Sequence, residues 1–561
     1  MSRWAKASPG LEEFEEGQGA GMAFRNLREY IGELERIGDL VRVAEEVDPH
    51  LEITGLADRA VKQGGPALLF EKPRHRPGSS GSSGSPGSSG SAGGPGSSAS
   101  PGAPASPGAP ASPGAPASPG GPGGSGSPGS AEPYRHPVAI NLFASPSRMA
   151  MILGTDKPAS LTERYLALIE GEGPRSVLDK IKMLPKLAEL NRAFPKTVSR
   201  GACQEVVLDP PSFDPFPILK CWPEDGGPTL TLPMVFTRDP ETGAPNCGMY
   251  RMQIYDSRTS GMHWHIHKGG AEHYRKACAR GERLPVAVAL GGPPLATFAS
   301  MCPLPPNLDE MLFAGLIGGE AIEMVRCRTC DMMVPAEAEI VFEGYVDPGE
   351  SRIEGPFGDH TGFYSLPDLY PVFHLTAATH RRGAIYPATV VGRPPMEDCH
   401  MGRAVEEIFL PLIRKQLPEI VDMHMPFAGV FHNLLLVSIR KAYPGHARKV
   451  MHALWGLGQA MFAKVIVVTD EDVNLRDYNE VAWKALNHID PERDTEFVLG
   501  PVDALDHASR LPHYGSHAGI DATRKWKEEG FEREWPDEMR LPEDVLKRVE
   551  EIWKRAGLPN P

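Results

Sequence analysis

The spacing of apolar residues near the N-terminus predicts alternating helices and strands. Four residues recur at helical spacing: Leu27, Ile31, Leu34 and Ile37. A strand-like run follows at 40–43, then a second helix through Leu56 and Val61 and a further strand at 67–71. We therefore expect a disordered N-terminus over residues 1–22 and an N-terminal α/β lobe over residues 23–150.

The middle of the chain has a different pattern. From about Gln204 to Phe373, short β-rich runs alternate with Gly and Pro, at 234–237, 252–255, 286–290 and 339–343. A helix is expected from Asp309 to about Val325, and Ser160 with Glu163 forms a capping box that predicts another helix start. This pattern predicts a central split-β-barrel-like domain over residues 151–395.

Helix and strand signals alternate again near the C-terminus. An amphipathic stretch at 405–417 and an apolar run at 464–468 predict an α/β domain over residues 396–530. A charged helix near 543–555 lies in a C-terminal helix or tail, residues 531–561. The predicted fold class is thus α/β (α+β), with two α/β lobes around a β-rich centre.

One segment has no core-forming residues. From Pro77 to Ala131 there is no charge and almost nothing but Gly, Ser, Pro and Ala. Such a composition cannot bury apolar surface, so residues 77–131 are predicted to be disordered. Strand-like runs flank the segment, which indicates an enlarged loop within one lobe.

Composition and charge exclude several classes of protein. The 561-residue chain has a formal charge of -14, which argues against a broad electrostatic contact with nucleic acid. There is no signal-like N-terminus and no apolar run of roughly 18 residues, and eight cysteines are too few for a disulfide framework. We expect a cytoplasmic protein. Cys327 and Cys330 form a single CxxC, for which two ordinary thiols are favoured over structural zinc.

Two segments about ninety residues apart carry most of the candidate chemistry. On a strand, His263, His265 and His267 would point to one face and could supply nitrogens to a metal ion; local hydrogen bonding is the alternative. Glu354 and Asp359 flank a Gly-Pro-Phe-Gly turn, where carboxylates are often only solvated. These residues alone leave catalysis and a structural role both open.

Seven motifs follow one another along the chain: 246–251, 267–270, Ser300-Met301, Glu310 in its helix, 354–362, 468–473 and 519–523. Their order is the one seen in UbiD-type decarboxylases, and the resemblance covers nearly the whole chain outside the low-complexity segment. The chain therefore resembles the UbiD family. His263 departs from the family pattern, since quinone-pathway members usually have an arginine near this position.

The resemblance implies a bound prenylated flavin mononucleotide (prenylated FMN) whose phosphate is held through a manganese-type divalent ion, with potassium. The implied metal ligands are Asn246, His267 and Glu310, of which the amide and carboxylate oxygens suit a hard cation. The residues implied to line the flavin are Met249, Tyr250, Arg251, His263, Trp264, His265, Lys268, Gly269, Ser300 and Met301.

The resemblance also implies a catalytic trio of Arg251, Glu354 and Asp359. Decarboxylation leaves electron density at carbon, so an acid must return a proton, and Asp359 is the residue expected to do so. That role requires burial to raise the pKa of Asp359. Arg251 would hold Glu354 ionised and orient the substrate carboxylate.

The predicted function is non-oxidative decarboxylation of an aromatic or α,β-unsaturated acid, and the direction of the reaction stays open. A hydroxybenzoate or naphthoate of quinone biosynthesis is the favoured substrate, and a polyprenylated acid would bring peripheral membrane contact. A flavin prenyltransferase would supply the cofactor, and a homodimer or homohexamer is expected. Two alternatives remain at this point: a three-histidine metal-dependent oxygenase or hydrolase, and a flavin-binding scaffold without chemistry.

Overall fold

The computed structural model describes residues 22–75, 133–169, 190–305 and 308–558. The chain forms two compact units: Met1–Pro158 with Tyr165–Ala404, and Ala159–Arg164 with Val405–Pro561. The predicted disorder of residues 1–22 and of the 77–131 segment lies outside the described residues, Met22 excepted. The predicted domain boundaries stay predictions.

Helices and strands alternate through both units, which confirms the mixed α/β class. The α-helices are α1 (Leu27–Arg36), α2 (Glu52–Lys62), α3 (Pro146–Leu153), α4 (Pro158–Ile169), α5 (Gly269–Arg280), α6 (Pro294–Ala299), α7 (Glu310–Gly318), α8 (Glu397–Gln416), α9 (His446–Trp455), α10 (Tyr478–His488), α11 (Pro491–Asp494) and α12 (Glu543–Arg555). The first-unit strands are β1 (Leu40–Val47), β2 (Ala67–Pro73), β3 (Val138–Ile140), β4 (Lys196–Val198), β5 (Val206–Val207), β6 (Thr229–Leu230), β7 (Met234–Arg238), β8 (Pro245–Met249), β9 (Met252–Gln253), β10 (Thr259–Gly261), β11 (Leu284–Leu290), β12 (Glu323–Arg326), β13 (Met333–Pro335), β14 (Ile340–Glu354), β15 (Phe357–Gly358), β16 (Tyr364–Ser365), β17 (Asp368–His380) and β18 (Tyr386–Pro387). Those of the second unit are β19 (Ile420–His424), β20 (Leu434–Ile439), β21 (Val465–Asp470), β22 (Thr495–Pro501) and β23 (Tyr514–Asp521).

The N-terminal elements form a small sheet with the predicted helices. Asn26 caps α1 by accepting the N–H groups of Arg28 and Glu29, and the helix buries Leu27, Tyr30, Ile31 and Leu34. The sheet has the order β1-β2-β3-β18, with β1 parallel to β2 and β3 antiparallel to β2. Ile37, predicted to lie in the helix, is its C-cap instead.

A seven-stranded sheet dominates the first unit. Its order is β10-β17-β14-β11-β7-β8, with β5 paired to β17, and each of these pairings is antiparallel. Among the described strands the order has two ends, so the barrel-like region is observed as an open sheet. The long hairpin of β14 and β17 places Glu354 opposite Asp368, and the connection between these residues carries Asp359.

Apolar packing holds this sheet in place. Phe342 of β14 is fully buried, and the rings of Phe213 and Phe216 lie edge-on to it at centroid distances of 4.8 and 5.3 Å. Edge-to-face aromatic pairs of this kind are favourable because the ring edge is positive and the face negative. The core therefore fixes the base of the hairpin whose tip carries the candidate acids.

The second unit contains a five-stranded sheet of order β19-β20-β21-β23-β22. Its three central strands are parallel and its edge strands antiparallel, as expected from the α/β pattern. The predicted C-terminal helix is α12. In the part of the chain that the structure describes, no helix is long and apolar enough to cross a membrane.

Two predicted helix boundaries are wrong. The helix predicted to reach Val325 ends at Gly318, because Gly319 adopts the left-handed conformation (φ 68°), and Val325 lies in β12. The helix expected to start at Ser160 begins at Pro158, a residue that fits the first turn because its missing N–H would have no intrahelical partner.

The CxxC segment connects β12 to β13. Glu343 lies close enough to Cys327 and Cys330 to complete a cluster of possible metal ligands. Its carboxylate, however, accepts the N–H groups of Arg328 and Thr329 at 2.8 and 2.6 Å. Glu343 thus anchors the loop, and the interpretation of ordinary thiols stays a prediction.

Candidate active site

Arg251 is the centre of the candidate site. It lies between β8 and β9, and its side chain is 9% exposed. The guanidinium donates to Glu354 Oε1 and Oε2 at 2.9 and 3.3 Å, to Ser365 Oγ at 3.1 Å and to Asp359 Oδ2. Its carbon also lies 4.3 Å from the ring centroid of Phe357. Burial lowers the pKa of Arg251, but the charges of Asp359 and Glu354 outweigh burial and raise it.

Glu354 ends β14 and is almost completely buried, at 1% side-chain exposure. Besides Arg251, it accepts a hydrogen bond from His263 Nδ1 at 2.8 Å. Burial would raise the pKa of Glu354, but the hydrogen bond from His263 and the charge of Arg251 lower it to about 2. Glu354 is therefore ionised at neutral pH.

Asp359 lies in the connection that follows Glu354. Its Oδ1 accepts from the backbone N–H of His360 at 2.7 Å and from His360 Nδ1 at 3.0 Å. The preceding Gly358 donates to Asp225 at 2.7 Å and packs so closely against Trp222 that a Cβ atom would lie 2.2 Å from the indole. These contacts hold the acid against Arg251.

The expected rise in the pKa of Asp359 is wrong for this arrangement. Burial does raise the pKa, but the charge of Arg251 and the hydrogen bonds from His360 outweigh it and hold the pKa well below its usual range. Asp359 is thus a carboxylate when its partner is Arg251. A proton can reside on Asp359 only after this ion pair is weakened.

The three histidines do not form the predicted face of a strand. Strand β10 ends at Gly261, and the chain then turns, with Lys268 N donating to His265 O at 3.0 Å. His263 is buried, with its Nε2 2.7 Å from Nε2 of His265, whereas His267 is exposed. Within the described ranges, no group of candidate metal ligands contains these three residues, so the three-histidine site is wrong.

His263 instead belongs to the hydrogen-bonded group around Arg251. Burial and the charge of Arg251 lower its pKa, so the neutral imidazole donates through Nδ1 to Glu354 and accepts at Nε2 from His265. Its ring lies 4.3 Å from that of Tyr370. One tautomer of His263 therefore satisfies both neighbours.

Residues predicted to line the flavin meet at the N-terminus of α5. The Tyr250 ring covers Gly248, where a Cβ atom would lie 2.2 Å from it, and the Tyr250 hydroxyl accepts from Gly270 N at 3.4 Å. Trp264 is 5% exposed and packs against Gly270. Lys268 is the N-cap of this helix and Gly269 its first residue.

A neighbouring helix, α6, brings in the Ser300-Met301 pair. Ser300 is the C-cap of α6, and its carbonyl accepts the N–H of Met249 at 3.0 Å. Ser300 is also 5% exposed, and its hydroxyl donates to Thr297 O at 2.7 Å. The backbone of this pair therefore adjoins β8, the strand that leads to Arg251.

The residues predicted to bind metal are only partly brought together. A Cβ atom added to Gly269 would lie 2.2 Å from Asn246 Oδ1, so only glycine at position 269 permits Asn246 to approach so closely. Glu310, at the start of α7, accepts the N–H of Cys247 at 2.8 Å, and burial raises its pKa to about 7. His267 lies in the exposed turn before α5.

Several residues of the site were not predicted from the sequence. Ser365 Oγ accepts from Arg251 at 3.1 Å, and Gln253 Oε1 accepts from Gly355 N at 2.7 Å. His360 is the neighbour of Asp359 and could have been noticed from this position alone. Ser365 and Gln253 carry no comparable local signal, because their roles depend on strand pairing.

Comparisons with known proteins agree with this architecture. Three domain models of the 3-octaprenyl-4-hydroxybenzoate carboxy-lyase family match the chain: the N-terminal domain over residues 31–87, the Rift-related domain over 196–394 and the C-terminal domain over 399–522. These models span more than half of the chain. The chain therefore belongs to the UbiD family and is an enzyme of the carboxy-lyase class.

Individual relatives are similar over almost their full length. An uncharacterised protein of Archaeoglobus fulgidus is 44% identical over 95% of this chain and 98% of its own. The closed form of vanillic acid decarboxylase from Sedimentibacter hydroxybenzoicus superposes with a TM-score of 0.72, 24% identity and coverage of 96% and 99% of the two chains. An evolved dimeric form of the UbiD-class enzyme HmfF from Pelotomaculum thermopropionicum, in complex with prFMN, gives a TM-score of 0.68, 24% identity and coverage of 94% and 100%.

Proposed function

We propose that this chain uses prenylated FMN to remove CO₂ from an aromatic carboxylic acid, with Asp359 as the proton donor. The observation that carries the proposal is the buried ion pairing of Arg251 with both Glu354 and Asp359. Buried ion pairs contribute little net stability compared with apolar packing, so such a group is better explained by chemistry.

The surroundings of α5 fit a flavin phosphate. Lys268 stands at the N-terminus of this helix, where backbone N–H groups and the helix dipole favour an anion. The indole N–H of Trp264 is buried and has no hydrogen-bond partner among the described residues, which leaves a donor for a ligand oxygen. Asn246, Glu310 and His267 would hold the divalent ion that neutralises the phosphate, with potassium as a further candidate.

Arg251 and the residues around it have separate roles in substrate binding and proton transfer. When bound, the prenylated flavin supplies the electron sink for carbon–carbon cleavage. Arg251 binds and orients the substrate carboxylate, a task for which its planar fork is suited. Glu354, fixed by His263, keeps Arg251 in place. Asp359 returns a proton to the carbon that loses CO₂, and His360 Nδ1, 3.0 Å away, links this acid to the rest of the loop.

A hydroxybenzoate or naphthoate of quinone biosynthesis is the substrate we favour. The family description names an octaprenyl-hydroxybenzoate carboxy-lyase, and a solved structure of similar fold is a vanillic acid decarboxylase. Both names refer to hydroxylated aromatic acids. A flavin prenyltransferase would supply the cofactor.

The proposal is tested by producing the chain together with a flavin prenyltransferase and measuring the mass of the bound cofactor. CO₂ release is then screened with benzoate, hydroxybenzoates and hydroxynaphthoates. We expect prenylated FMN in the purified protein and turnover of at least one hydroxylated acid.

A matched control uses the same chain produced without the prenyltransferase. It should carry no prenylated flavin and release no CO₂. Equal turnover with and without the prenylated flavin would contradict the proposal, as would prenylated FMN that binds fully but supports no decarboxylation of any aromatic acid.

A further inference from the structure

A second group of ligand-type side chains lies in the N-terminal sheet, outside the candidate active site. It consists of Asp48, just after β1, His50 in the turn before α2, and His75, just after β2. One ligand atom from each of the three residues lies within 4.8 Å of the other two. We call this group the Asp48 cluster.

The turn between β1 and α2 places two members of the cluster. Asp48 is 2% exposed, and its Oδ1 accepts the backbone N–H of His50 at 2.9 Å. Leu51 adopts a positive φ of 70°, and Glu52 N donates to His50 O at 3.0 Å, so the chain turns sharply at this point. The two ring nitrogens of His50 are buried from solvent. The turn thus points an imidazole inward beside a carboxylate.

His75 completes the cluster from the other strand. Its Nδ1 lies 3.1 Å from Asp48 Oδ1, and its ring centroid lies 4.2 Å from that of His50. Its Nε2 lies 2.6 Å from the hydroxyl of Tyr134. An ion about 2.1 Å from both ligand atoms would separate them by roughly 3.4 Å in tetrahedral geometry, close to the observed spacing.

We propose that Asp48, His50 and His75 bind one divalent transition-metal ion of the zinc class. Two imidazoles and one carboxylate form a donor set that such ions prefer over Mg²⁺ or Ca²⁺, and water completes the coordination. His75 binds through Nδ1, which leaves its Nε2–H to donate to Tyr134. A metal-bound histidine commonly donates its second ring N–H to an oxygen in this way, which fixes the ring and its tautomer.

The local charge also favours a cation. Burial raises the pKa of Tyr134, and the charges of Asp48 and Asp214 raise it further, so two carboxylates act on the hydroxyl that His75 contacts. The nearby Arg74 is held in an ion pair with Glu46 at 2.8 Å, so its charge is offset.

The position of the cluster indicates what the ion does. His75 and Tyr134 stand on either side of the 77–131 segment, and Tyr134 N donates to Pro73 O at 2.9 Å. The ion would therefore connect the β1–α2 turn to the end of β2 and, through His75, fix the contact of that strand with Tyr134.

The test measures binding of Co²⁺ and Zn²⁺ to the full chain after treatment with a chelator. The chain carries Glu310→Gln throughout, which weakens the candidate ion site beside the flavin. We expect Asp48→Asn and His75→Gln each to lose one equivalent of Co²⁺ and the rise in Tm that Zn²⁺ produces. Asn at position 48 retains an acceptor for His50 N–H, so this variant keeps the turn.

Two further variants show whether the ion binds at the Asp48 cluster. His374→Gln removes a histidine from another group of possible ligands, Asp347, Glu350 and His374, and should leave the stoichiometry unchanged. Tyr134→Phe should bind one ion with affinity lowered about 10–100-fold, because only the partner of His75 is lost.

Two results would overturn the proposal. One is unchanged Co²⁺ stoichiometry in Asp48→Asn, and the other is loss of the ion in His374→Gln but not in His75→Gln. If His75→Gln fails to fold, as judged by circular dichroism, Asp48→Asn decides the question alone.

Discussion

Replacing Asp359 with Asn separates proton transfer from binding. Asn keeps the size of the side chain and an oxygen that can accept from His360, but it has no proton to give. Arg251 keeps its hydrogen bonds to Glu354 at 2.9 and 3.3 Å, so the fold and the flavin site should survive. General acid catalysis contributes about 10²–10⁴ in rate, so kcat should fall by at least this factor.

The structure adds a condition to this prediction. At its ordinary pKa, an aspartic acid carries a proton in roughly one molecule in a thousand at pH 7, and Arg251 lowers the fraction for Asp359 further. A substrate carboxylate that binds Arg251 would compete with Asp359 for the guanidinium. A unit charge at about 4 Å is worth roughly 4 kcal/mol at an effective dielectric constant near 20, which is about 3 pKa units. Substrate binding therefore raises the pKa of Asp359 toward neutrality, and burial acts in the same direction once the guanidinium is shared with the substrate.

Two assays measure proton transfer by Asp359. Flavin content and CO₂ release are measured for Asp359→Asn, and the product is incubated in D₂O to follow exchange at the carbon that lost CO₂. Because exchange needs proton transfer but no cleavage of a carbon–carbon bond, both rates should fall together. Asp368→Asn serves as the control, since Asp368 is exposed and lies opposite Glu354 on the same hairpin. An Asp359→Asn variant with full flavin and unchanged rates would show that the proton comes from elsewhere.

Four further predictions test other parts of the molecule. Arg251→Lys should abolish turnover, because lysine lacks the planar, forked guanidinium group. Arg251→Ala should lower the free energy of unfolding by about 3–5 kcal/mol in urea titrations, since it leaves buried carboxylates unpaired. Unchanged turnover in the first variant and unchanged stability in the second would contradict this prediction. Glu310→Gln should lower the metal and flavin content measured after purification, and full occupancy would remove Glu310 from the site. Glu397 is fully buried, and burial raises its pKa from 4.5 to about 7, so its contribution to stability is present below pH 4.5 and lost as pH rises through 7. Glu397→Gln should remove this dependence and be more stable than the parent at pH 8 by roughly 3 kcal/mol. Equal free energies of unfolding of the parent in urea titrations at pH 5.5 and pH 8 would contradict this prediction. Replacing residues 77–131 by a short Gly-Ser loop should leave Tm and turnover nearly unchanged, and a loss of either would show that the segment packs.

The spacing of apolar residues was sufficient to predict those helices whose position depends mainly on their own sequence. The periodic apolar residues of α1 and the charged helix α12 were predicted close to their observed bounds, because amphipathic spacing reports directly on a helix face. The end of α7 was missed although the sequence contains its signal, the Gly318-Gly319 pair, since the apolar residues beyond it extended the helical pattern into β12.

That Arg251, Glu354 and Asp359 lie together agrees with the sequence, and their catalytic role stays a prediction, but their electrostatics could not be predicted. Family motifs identified Arg251, Glu354 and Asp359, and the hairpin of β14 and β17 brings them together. The pKa of Asp359, however, depends on how close a guanidinium lies, which spacing along the chain does not reveal. The prediction that His263, His265 and His267 share one face was wrong for a similar reason. Alternate residues lie on one face only while a strand continues, and β10 ends at Gly261.

Which of the two acids takes the proton follows from their unequal partners. Glu354 accepts two hydrogen bonds from Arg251 and one from His263 at 2.8 Å, so it remains paired even if the guanidinium also binds a substrate. Asp359 is bound by a single guanidinium nitrogen and otherwise by His360. The charge of Arg251 is the largest cause that lowers the pKa of Asp359, whereas the hydrogen bond from His263 is the largest for Glu354, so sharing Arg251 with a substrate raises the pKa of Asp359 more. The geometry therefore favours Asp359 as the residue that is protonated on substrate binding, with Glu354 as the permanent counter-ion of Arg251.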